Sequence, residues 1–503
     1  MELHRKAIYD YLKVTTKPSF ANFVDSNVEF IANNLPDDIT TLDQYWSNLF
    51  EEVTEKDGVR LIKVRKPPNW TPILMHAIQL TKVTKSKSTS RGTKRSSKSD
   101  SSELEPEEKQ PIIDLLRKLD DNKKWDFVRD NGETAFVENI LADHVEKTEF
   151  EHSAISGIFN IGDKVWKSYL SDQELGRLGR AGSATMPSLP QSLQQIFDKV
   201  QSTLEDIIEK SKNMRWYEKQ KAIVDVLYQR LLQFPPYDPY DDFNEHWTIE
   251  QLKEFCSLYR WHIPGRMSKD SSEMDYINLF WSRLDRCFDN LYMDTRRDVL
   301  CVANLARVNE SRIIDGIEAI KDQNKSVRPD LVLVKNNVEF GTGECGKDDV
   351  AGVGKKELVE TQLHGPKIMK DMFVRAARIA GDNEDFIRGF KVVSFNQTCM
   401  RMTTSVLDCP KGIVCRVRTS QEYEIPKDAA SFAGIIPILK LALKAKIMVQ
   451  ESISIMEKYT NDRGTQEPDF MFEETQGVNV VKIPSCFTFR NKKQKSTTNS
   501  TPA

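Results

Sequence analysis

Two carboxylates and a lysine surround one short hairpin in the second half of the chain. Asp330 precedes the first apolar run, and Glu344 and Lys347 follow the second. Asn336 and Asn337 lie between the runs and tolerate the left-handed backbone of a tight turn. Adjacent strands lie about 4.8 Å apart, so these groups can share one site. Converging carboxylates hold hard divalent cations such as Mg²⁺, which activate water, and a nearby ammonium stabilises developing negative charge.

The arrangement resembles the signature of the PD-(D/E)XK nuclease superfamily, and the chain looks similar to divergent, uncharacterised fungal members. Pro329-Asp330 corresponds to the PD of the motif, and Glu344-Cys-Gly-Lys347 corresponds to a variant of its (D/E)XK. The first helix of that family often carries a glutamate that reaches the site. Glu273 matches it, because Ser271-Ser272 predicts a helix start immediately before it.

This resemblance implies a restriction-endonuclease-like α-β-β-β-α-β core and metal-dependent hydrolysis of nucleic-acid phosphodiesters. Asp330, Glu344 and Glu273 would bind Mg²⁺ or Mn²⁺, and Lys347 would orient or polarise the attacking water. We expect the nucleic-acid partner to be DNA rather than RNA.

The spacing of the second motif departs from the family. The family places its lysine two residues after the carboxylate, which puts both on one face of a strand. Lys347 is three residues after Glu344, so a regular strand would direct them to opposite faces. A β-bulge at Cys345-Gly346 would restore the geometry. Without one, the chain would be a catalytically inactive relative that acts as a scaffold for nucleic acid or protein.

A third interpretation is a degenerate nucleotide-binding loop. Gly341 to Asp348 fits the phosphate-loop pattern GxxxxGK[ST] in all but its last position. Asp348 replaces the hydroxyl residue that binds Mg²⁺, and its carboxylate would repel phosphate. We expect no apolar strand after this loop to end in the aspartate that such sites require.

Composition constrains the class of protein but not its activity. Net charge is −3, so any surface that binds nucleic acid must be local. The eight cysteines include no CxxC pair, which favours a reducing compartment and gives no zinc-site spacing. The first residues lack the apolar segment of a signal peptide, and no run approaches the length of a membrane span. These features predict an intracellular protein of the nucleus or cytoplasm, not associated with membranes and of unknown oligomeric state.

Changes of composition divide the 503 residues into five parts. Residues 1–81 predict a small N-terminal module, with a strand at Val59–Val64. Residues 82–110 carry seven basic residues from Lys82 to Lys98 and then five acidic ones, which is typical of a disordered linker. Residues 111–240 show helical apolar stripes and predict an all-α region. Residues 241–460 predict the nuclease-like domain, and 461–503 a polar, largely disordered tail. The fold class is therefore α+β or α/β.

Basic residues near the hairpin could contact a phosphate backbone, but they equally fit a solvated helix face. They are Lys356, Lys367, Lys370, Arg375 and Arg378, with Arg401, Arg416 and Arg418 in later segments.

Overall fold

The structure is a computed structural model of the whole chain. It describes residues 2–15, 18–33, 42–56, 104–182, 186–267, 271–310, 312, 323–346, 359–464 and 479–488. The chain divides into two compact units, Met1–Asp100 and Ser101–Ala503.

The first unit is helical in its described part. Ile8, Phe23, Trp46 and Phe50 belong to its core, and the ring of Phe23 packs against the rings of Trp46 and Phe50. The strand predicted at Val59–Val64 lies outside the described residues. The helices are α1 (Glu2–Val14), α2 (Phe20–Ser26), α3 (Val28–Asn33) and α4 (Leu42–Lys56).

The second unit is built on one mixed sheet. A separate hairpin consists of β1 (Asp126–Val128) and β2 (Thr134–Phe136). The sheet strands are β3 (Ile158–Asn160), β4 (Asp294–Arg296), β5 (Leu331–Lys335), β6 (Val338–Gly346), β7 (Val392–Thr398), β8 (Arg401–Asp408), β9 (Cys415–Thr419) and β10 (Tyr423–Glu424). Their order is β3-β9-β8-β7-β6-β5-β4, and β10 also pairs with β8. The pairs β3–β9 and β6–β7 are parallel, and the other pairs are antiparallel.

Helices surround this sheet. They are α5 (Pro106–Lys118), α6 (Val137–Lys147), α7 (Asp172–Arg180), α8 (Gln191–Lys210), α9 (Trp216–Leu231), α10 (Phe243–Arg260), α11 (Ile263–Arg266), α12 (Glu273–Tyr276), α13 (Ser282–Asp285), α14 (Val302–Val308), α15 (Gly365–Ile379), α16 (Glu384–Gly389) and α17 (Ile435–Gly464). Short 3₁₀ or π segments cover Asp121–Lys123, Ser153–Ser156, Lys164–Ser168, Ile277–Trp281, Arg286–Leu291, Glu360–His364 and Ala429–Gly434. None of the helices described here is long and apolar enough to cross a membrane.

The mixed α+β class is confirmed, but the all-α prediction for residues 111–240 is wrong in part. The apolar stripes do form helices α8 and α9, and their buried residues face the core. The same range also supplies β1, β2 and β3, and β3 pairs with β9 in the main sheet. At three residues each, these strands are too short to show a period-2 pattern. Leu193 of α8 and Val393 of β7 belong to one hydrophobic core.

Parts of the two segments predicted to be disordered, 82–110 and 461–503, are ordered in the structure. Helix α5 begins at Pro106, inside the predicted linker 82–110, because Glu105 and Glu108 form a capping box around its first turn. In the predicted tail 461–503, α17 continues to Gly464, and residues 479–488 pack against other parts of the second unit. Val480 pairs with Asn383, and Ile483 is buried. The rest of both segments lies outside the described residues.

The two faces of the sheet meet different parts of the chain. The rings of Phe395 and Phe288 are 6.1 Å apart, so the segment Arg286–Leu291 covers the face to which Phe395 points. Side chains alternate along a strand, so Val392 and Asn396 point to the opposite face.

Segment Glu360–His364 lies over that opposite face. Asn160 shares the face of Val392, because the register joins Asn160 to Val417, Val417 to Leu407 and Leu407 to Val392. The side-chain amide of Asn160 donates to Gln362 Oε1 over 2.6 Å. The opposite face therefore meets the segment that leads into α15.

Candidate functional site

The hairpin β5–β6 forms as its turn residues predict. Asn336 and Asn337 have φ angles of 50° and 61°, the left-handed pair of a two-residue hairpin turn. The strand register shifts between Leu333 and Val334, whose partners are Gly341 and Glu339. Phe340 is therefore the extra residue of a β-bulge, near the turn and away from the candidate carboxylates.

Asp330 and Glu344 lie opposite each other at the far end of this hairpin. Leu331 pairs with Gly343, so extending the antiparallel register by one residue brings Asp330 to Glu344. The backbone N–H of Cys345 donates to Asp330 Oδ2 over 2.6 Å, which fixes the carboxylate at the end of β6. Both carboxylate residues are half-buried. The structure thus brings two of the four predicted site residues together.

Glu273 begins helix α12, as predicted from the serines before it. The backbone N–H of Asp275 donates to Ser272 Oγ over 3.2 Å. In return, the backbone N–H of Ser272 donates to the Asp275 carboxylate over 2.6 Å, which completes a capping box. Burial raises the pKa of the Cys345 thiol to about 12, the Arg297 guanidinium opposes the rise, and the carboxylates of Asp330 and Glu273 add to it. Glu273 is therefore near enough to the end of β6 to affect Cys345 electrostatically.

Lys347 lies outside the described residues. The pairing of β6 with β7 is continuous from Gly341 to Gly346, so Cys345-Gly346 carries no bulge. In this regular strand Gly346 shares the face of Glu344, which is the position of the lysine in the family motif.

Arg297 and Asp285 adjoin Cys345 at the end of β6, on the sheet face opposite Glu344, and were not predicted. Arg297 bonds to Asp285 Oδ2 through Nη2 at 2.6 Å and Nε at 3.0 Å, and its Nη1 lies 3.7 Å from Cys345 Sγ. Burial raises the pKa of Asp285, and Arg297 opposes that rise. The pair joins the helical segment before β4 to β6. No motif in the sequence could have identified it, since the partners interact only after folding.

Asn396 is the other residue that the sequence did not single out. The register of β7 places it beside Glu344 on one side and Thr403 on the other. Asp330, Glu344, Asn396 and Thr403 therefore form a row across four neighbouring strands, which we call the oxygen row. A run of oxygen-bearing side chains across the middle of a largely buried sheet is unusual, since such positions are normally apolar.

The hydrogen bonds of Asn396 are incomplete. Its amide nitrogen is 3.4 Å from Thr403 Oγ1 and 3.5 Å from Ser405 Oγ, both long for hydrogen bonds. Its Oδ1 is buried and has no hydrogen-bond partner. A buried polar atom without a partner costs about 1–3 kcal/mol.

The side-chain oxygens of the oxygen row are the donor atoms that a hard divalent cation prefers. Among the described residues, no group of three or more His, Cys, Asp and Glu side chains is arranged to hold a metal. Mg²⁺ is commonly bound by only one or two protein carboxylates, with water and phosphate oxygens filling its other positions. Asp330 and Glu344 meet that requirement.

The geometry of β6 argues against the phosphate-loop interpretation. Gly341 to Gly346 belong to a strand paired with β7 along its length, and Gly341 to Gly343 also pair with β5. Their backbone groups are committed to the sheet. A Cβ on Gly341 would lie 2.8 Å from Val393 Cγ2, and one on Gly343 would lie 3.1 Å from Leu331 Cβ. The glycines thus allow close approach of neighbouring strands.

The predicted basic residues are mostly engaged within the protein. Their partners are Glu151 for Lys367, the Ser156 carbonyl for Lys370, the Asn337 carbonyl for Arg375, Glu310 for Arg378, Glu422 for Arg401, and Asp408 for both Arg416 and Arg418. Lys356 lies outside the described residues. These contacts give the basic residues structural roles and add no support for a phosphate-binding surface.

Comparison of the chain with protein-family models, with curated proteins and with solved structures found no match in any of the three.

Proposed function

We propose that the protein is a divergent PD-(D/E)XK nuclease that hydrolyses nucleic-acid phosphodiesters with Mg²⁺ or Mn²⁺. The observation that carries the proposal is the pair Asp330 and Glu344, opposite each other at one end of an antiparallel hairpin, with Asp330 held by the Cys345 N–H. Two adjacent carboxylates at a strand end can hold a hard cation against a phosphate group.

The order of elements around the pair supports the same proposal. Helical segments from Glu273 to Leu291 precede the antiparallel strands β4, β5 and β6. Helices α15 and α16 then lead to β7, which is parallel to β6. This sequence of elements agrees with the α-β-β-β-α-β core that the motif resemblance implies, with α14 inserted between β4 and β5.

Each predicted residue would have a distinct task. Asp330 and Glu344 would bind the cation, which supplies a nucleophilic water and neutralises charge on the phosphate. The Cys345 N–H donates to Asp330 Oδ2 and would hold the carboxylate in place for the cation. Glu273 would hold water or the cation from the α12 side. Lys347 would stabilise negative charge at the reacting phosphate.

The alternative is an inactive member of the same fold that binds nucleic acid or protein. The specific observation in its favour is Gly346, which occupies the strand position of the family's lysine. Such a protein could still bind a cation through Asp330 and Glu344 but would not cleave.

The test is cleavage of plasmid DNA and structured RNA in Mg²⁺ or Mn²⁺ by the wild type, Asp330→Asn and Glu344→Gln. Loss of a metal ligand removes several kcal/mol of transition-state stabilisation, so we expect cleavage to fall by about a thousandfold or more in both variants. Asp294→Asn is the matched control, because Asp294 is an exposed carboxylate on edge strand β4. Absence of cleavage by folded wild type with both substrates and metals would contradict the nuclease proposal.

A further inference from the structure

Asn396 is the member of the oxygen row whose side-chain oxygen is buried and unsatisfied. It is only 9 % exposed, and its Oδ1 has no hydrogen-bond partner. Its neighbours in the sheet could have been apolar, as Val393 and Phe395 are on the other face. Most buried polar atoms in proteins have a hydrogen-bond partner, and a bound ion is one explanation for an atom that lacks one.

The position of Asn396 identifies the kind of ligand. β6 and β7 are parallel and in register, so Asn396 and Glu344 project from the same face at neighbouring positions, about 4.8 Å apart. Asp330 lies on the other side of Glu344 in the same row. An amide oxygen beside two carboxylates is a donor set for a hard divalent cation, because Asn carbonyl groups ligate such ions together with Asp and Glu.

We propose that Asn396 Oδ1 is a further protein ligand of the divalent cation, next to Glu344. The inference rests on the proposed metal-dependent function and assigns that site a residue outside its sequence motif. Thr403 and Ser405 support this ligand role. Their hydroxyl oxygens accept from the Asn396 amide nitrogen, which directs Oδ1 away from β8. A neutral ligand also adds coordination without adding another negative charge next to a phosphate.

The experiment measures Mn²⁺ binding by full-length protein without nucleic acid, using electron paramagnetic resonance of free Mn²⁺. We expect Asn396→Ala to weaken binding by at least about tenfold, a loss typical of removing a group from a metal site. Asn396→Asp keeps an oxygen and adds charge, so it should bind Mn²⁺ as tightly as the wild type or more tightly. Glu344→Gln should abolish most of the binding.

A matched control separates metal binding from general destabilisation. Gln220 in α9 is also a buried amide with one unpaired atom, its Nε2, and its Oε1 accepts from the Ala429 N–H. Gln220→Ala should leave the Mn²⁺ affinity unchanged. The folded state of each variant is checked by circular dichroism and by its denaturation midpoint.

The outcomes distinguish failure of the ligand assignment from failure of the proposed function. If the wild type binds Mn²⁺ and folded Asn396→Ala binds it equally well, the assignment of Asn396 is wrong and the two-carboxylate site stands. Loss of binding in Asn396→Asp would also overturn the assignment, since an added carboxylate should favour a cation. If the wild type binds no Mn²⁺, both the metal-dependent function and the inference are wrong.

Discussion

The sheet holds two groups of buried polar side chains that differ in how fully they are satisfied. Between β8 and β9, the Arg416 guanidinium bonds to both oxygens of Asp408 at 2.9 and 2.5 Å and to the Leu178 carbonyl at 2.6 Å. Its charge also lies 5.5 Å from the ring centre of Trp125. In the oxygen row, by contrast, Asn396 leaves its Oδ1 unpaired.

Glu138 belongs to the group whose hydrogen bonds are complete. We call this group the closed cluster, and its members are Arg416, Asp408, Leu178, Trp125 and Glu138. The Glu138 carboxylate is fully buried and accepts from the backbone N–H groups of Trp125 at 2.8 Å and Ile413 at 3.1 Å. The comparison shows that burial of polar groups alone does not indicate function. A network whose donors and acceptors are matched stabilises the fold, and one with unused acceptors has capacity for a ligand.

The largest expected effect on stability is at Asp408. Asp408→Asn leaves the buried Arg416 charge without its counter-ion, and breaking such a pair typically costs about 3–5 kcal/mol. Asn396→Ala should reduce the free energy of unfolding by less than about 1 kcal/mol, because its hydrogen bonds are long and Ala removes an unsatisfied oxygen. Urea denaturation of both variants measures the difference.

Equal losses of stability in these two variants would contradict the comparison. Such a result would mean that Asn396 contributes as much to the free energy of unfolding as the Asp408–Arg416 pair. Asp408→Asn should also retain Mn²⁺ binding when it is folded, since Asp408 lies outside the oxygen row.

A smaller effect is expected where the closed cluster approaches the backbone at Gly412. Its φ is +63°, and a Cβ there would lie 2.0 Å from Glu138 Oε1 and 2.8 Å from the Trp125 nitrogen. Gly412→Ala should lose about 1–2 kcal/mol from the left-handed backbone alone, and more from the clash with Glu138. The denaturation midpoint measures the total.

Gly132→Ala is the matched control for that substitution. Gly132 also has a positive φ, +87°, but a Cβ there would meet nothing within 4 Å. The difference between the two variants isolates the packing of the closed cluster. Equal losses would show that Glu138 moves aside freely and that the cluster is less rigid than its contacts indicate.

The smallest effect is a pH dependence at His144, on the same helix as Glu138. Burial, with a smaller contribution from the charge of His152, lowers the pKa of His144 to about 4. The folded state therefore disfavours the charged ring, and the unfolded chain takes up the proton first as pH falls. This contribution to stability is present above the ordinary histidine pKa of about 6.5 and is lost between there and about pH 4.

Replacing His144 with phenylalanine should remove that proton uptake. The new ring can keep the aromatic contact with Trp166, whose ring centre is 5.1 Å from that of His144. We expect the denaturation midpoint to fall less between pH 7 and pH 5 in His144→Phe than in the wild type. Identical falls would assign the pH dependence to other groups.

Several local features were predicted correctly from neighbouring residues. The Asn336-Asn337 turn has the expected positive φ angles, and Ser272 caps α12. The apolar stripe of α8 faces the core. In each case the information lies within a few residues, because turn angles, caps and helix faces depend on local backbone geometry.

The site was predicted only as far as its motif extends. Asp330 and Glu344 were expected to share one site, but a two-residue turn alone would pair Asp330 with Gly343. Only the bulge at Phe340 brings Asp330 opposite Glu344. The bulge that would have aligned Lys347 was expected at Cys345-Gly346, whereas the structure has its bulge at Phe340. Bulge position depends on packing against both neighbouring strands, which the sequence of one hairpin does not contain.

The sequence by itself determined the hairpin, its turn and the helices with strong apolar stripes, whereas the bulge at Phe340 that sets Asp330 opposite Glu344 appeared only in the structure. Only the tertiary structure decided that β3 joins the sheet, that Arg416 pairs with Asp408, and that Asn396 lies beside Glu344. Glu344 and Asn396 are on parallel strands joined through α15 and α16, so no short-range pattern links them. Their proximity depends on strand order and register, which follow from burying the faces of the whole sheet against helices distant in sequence.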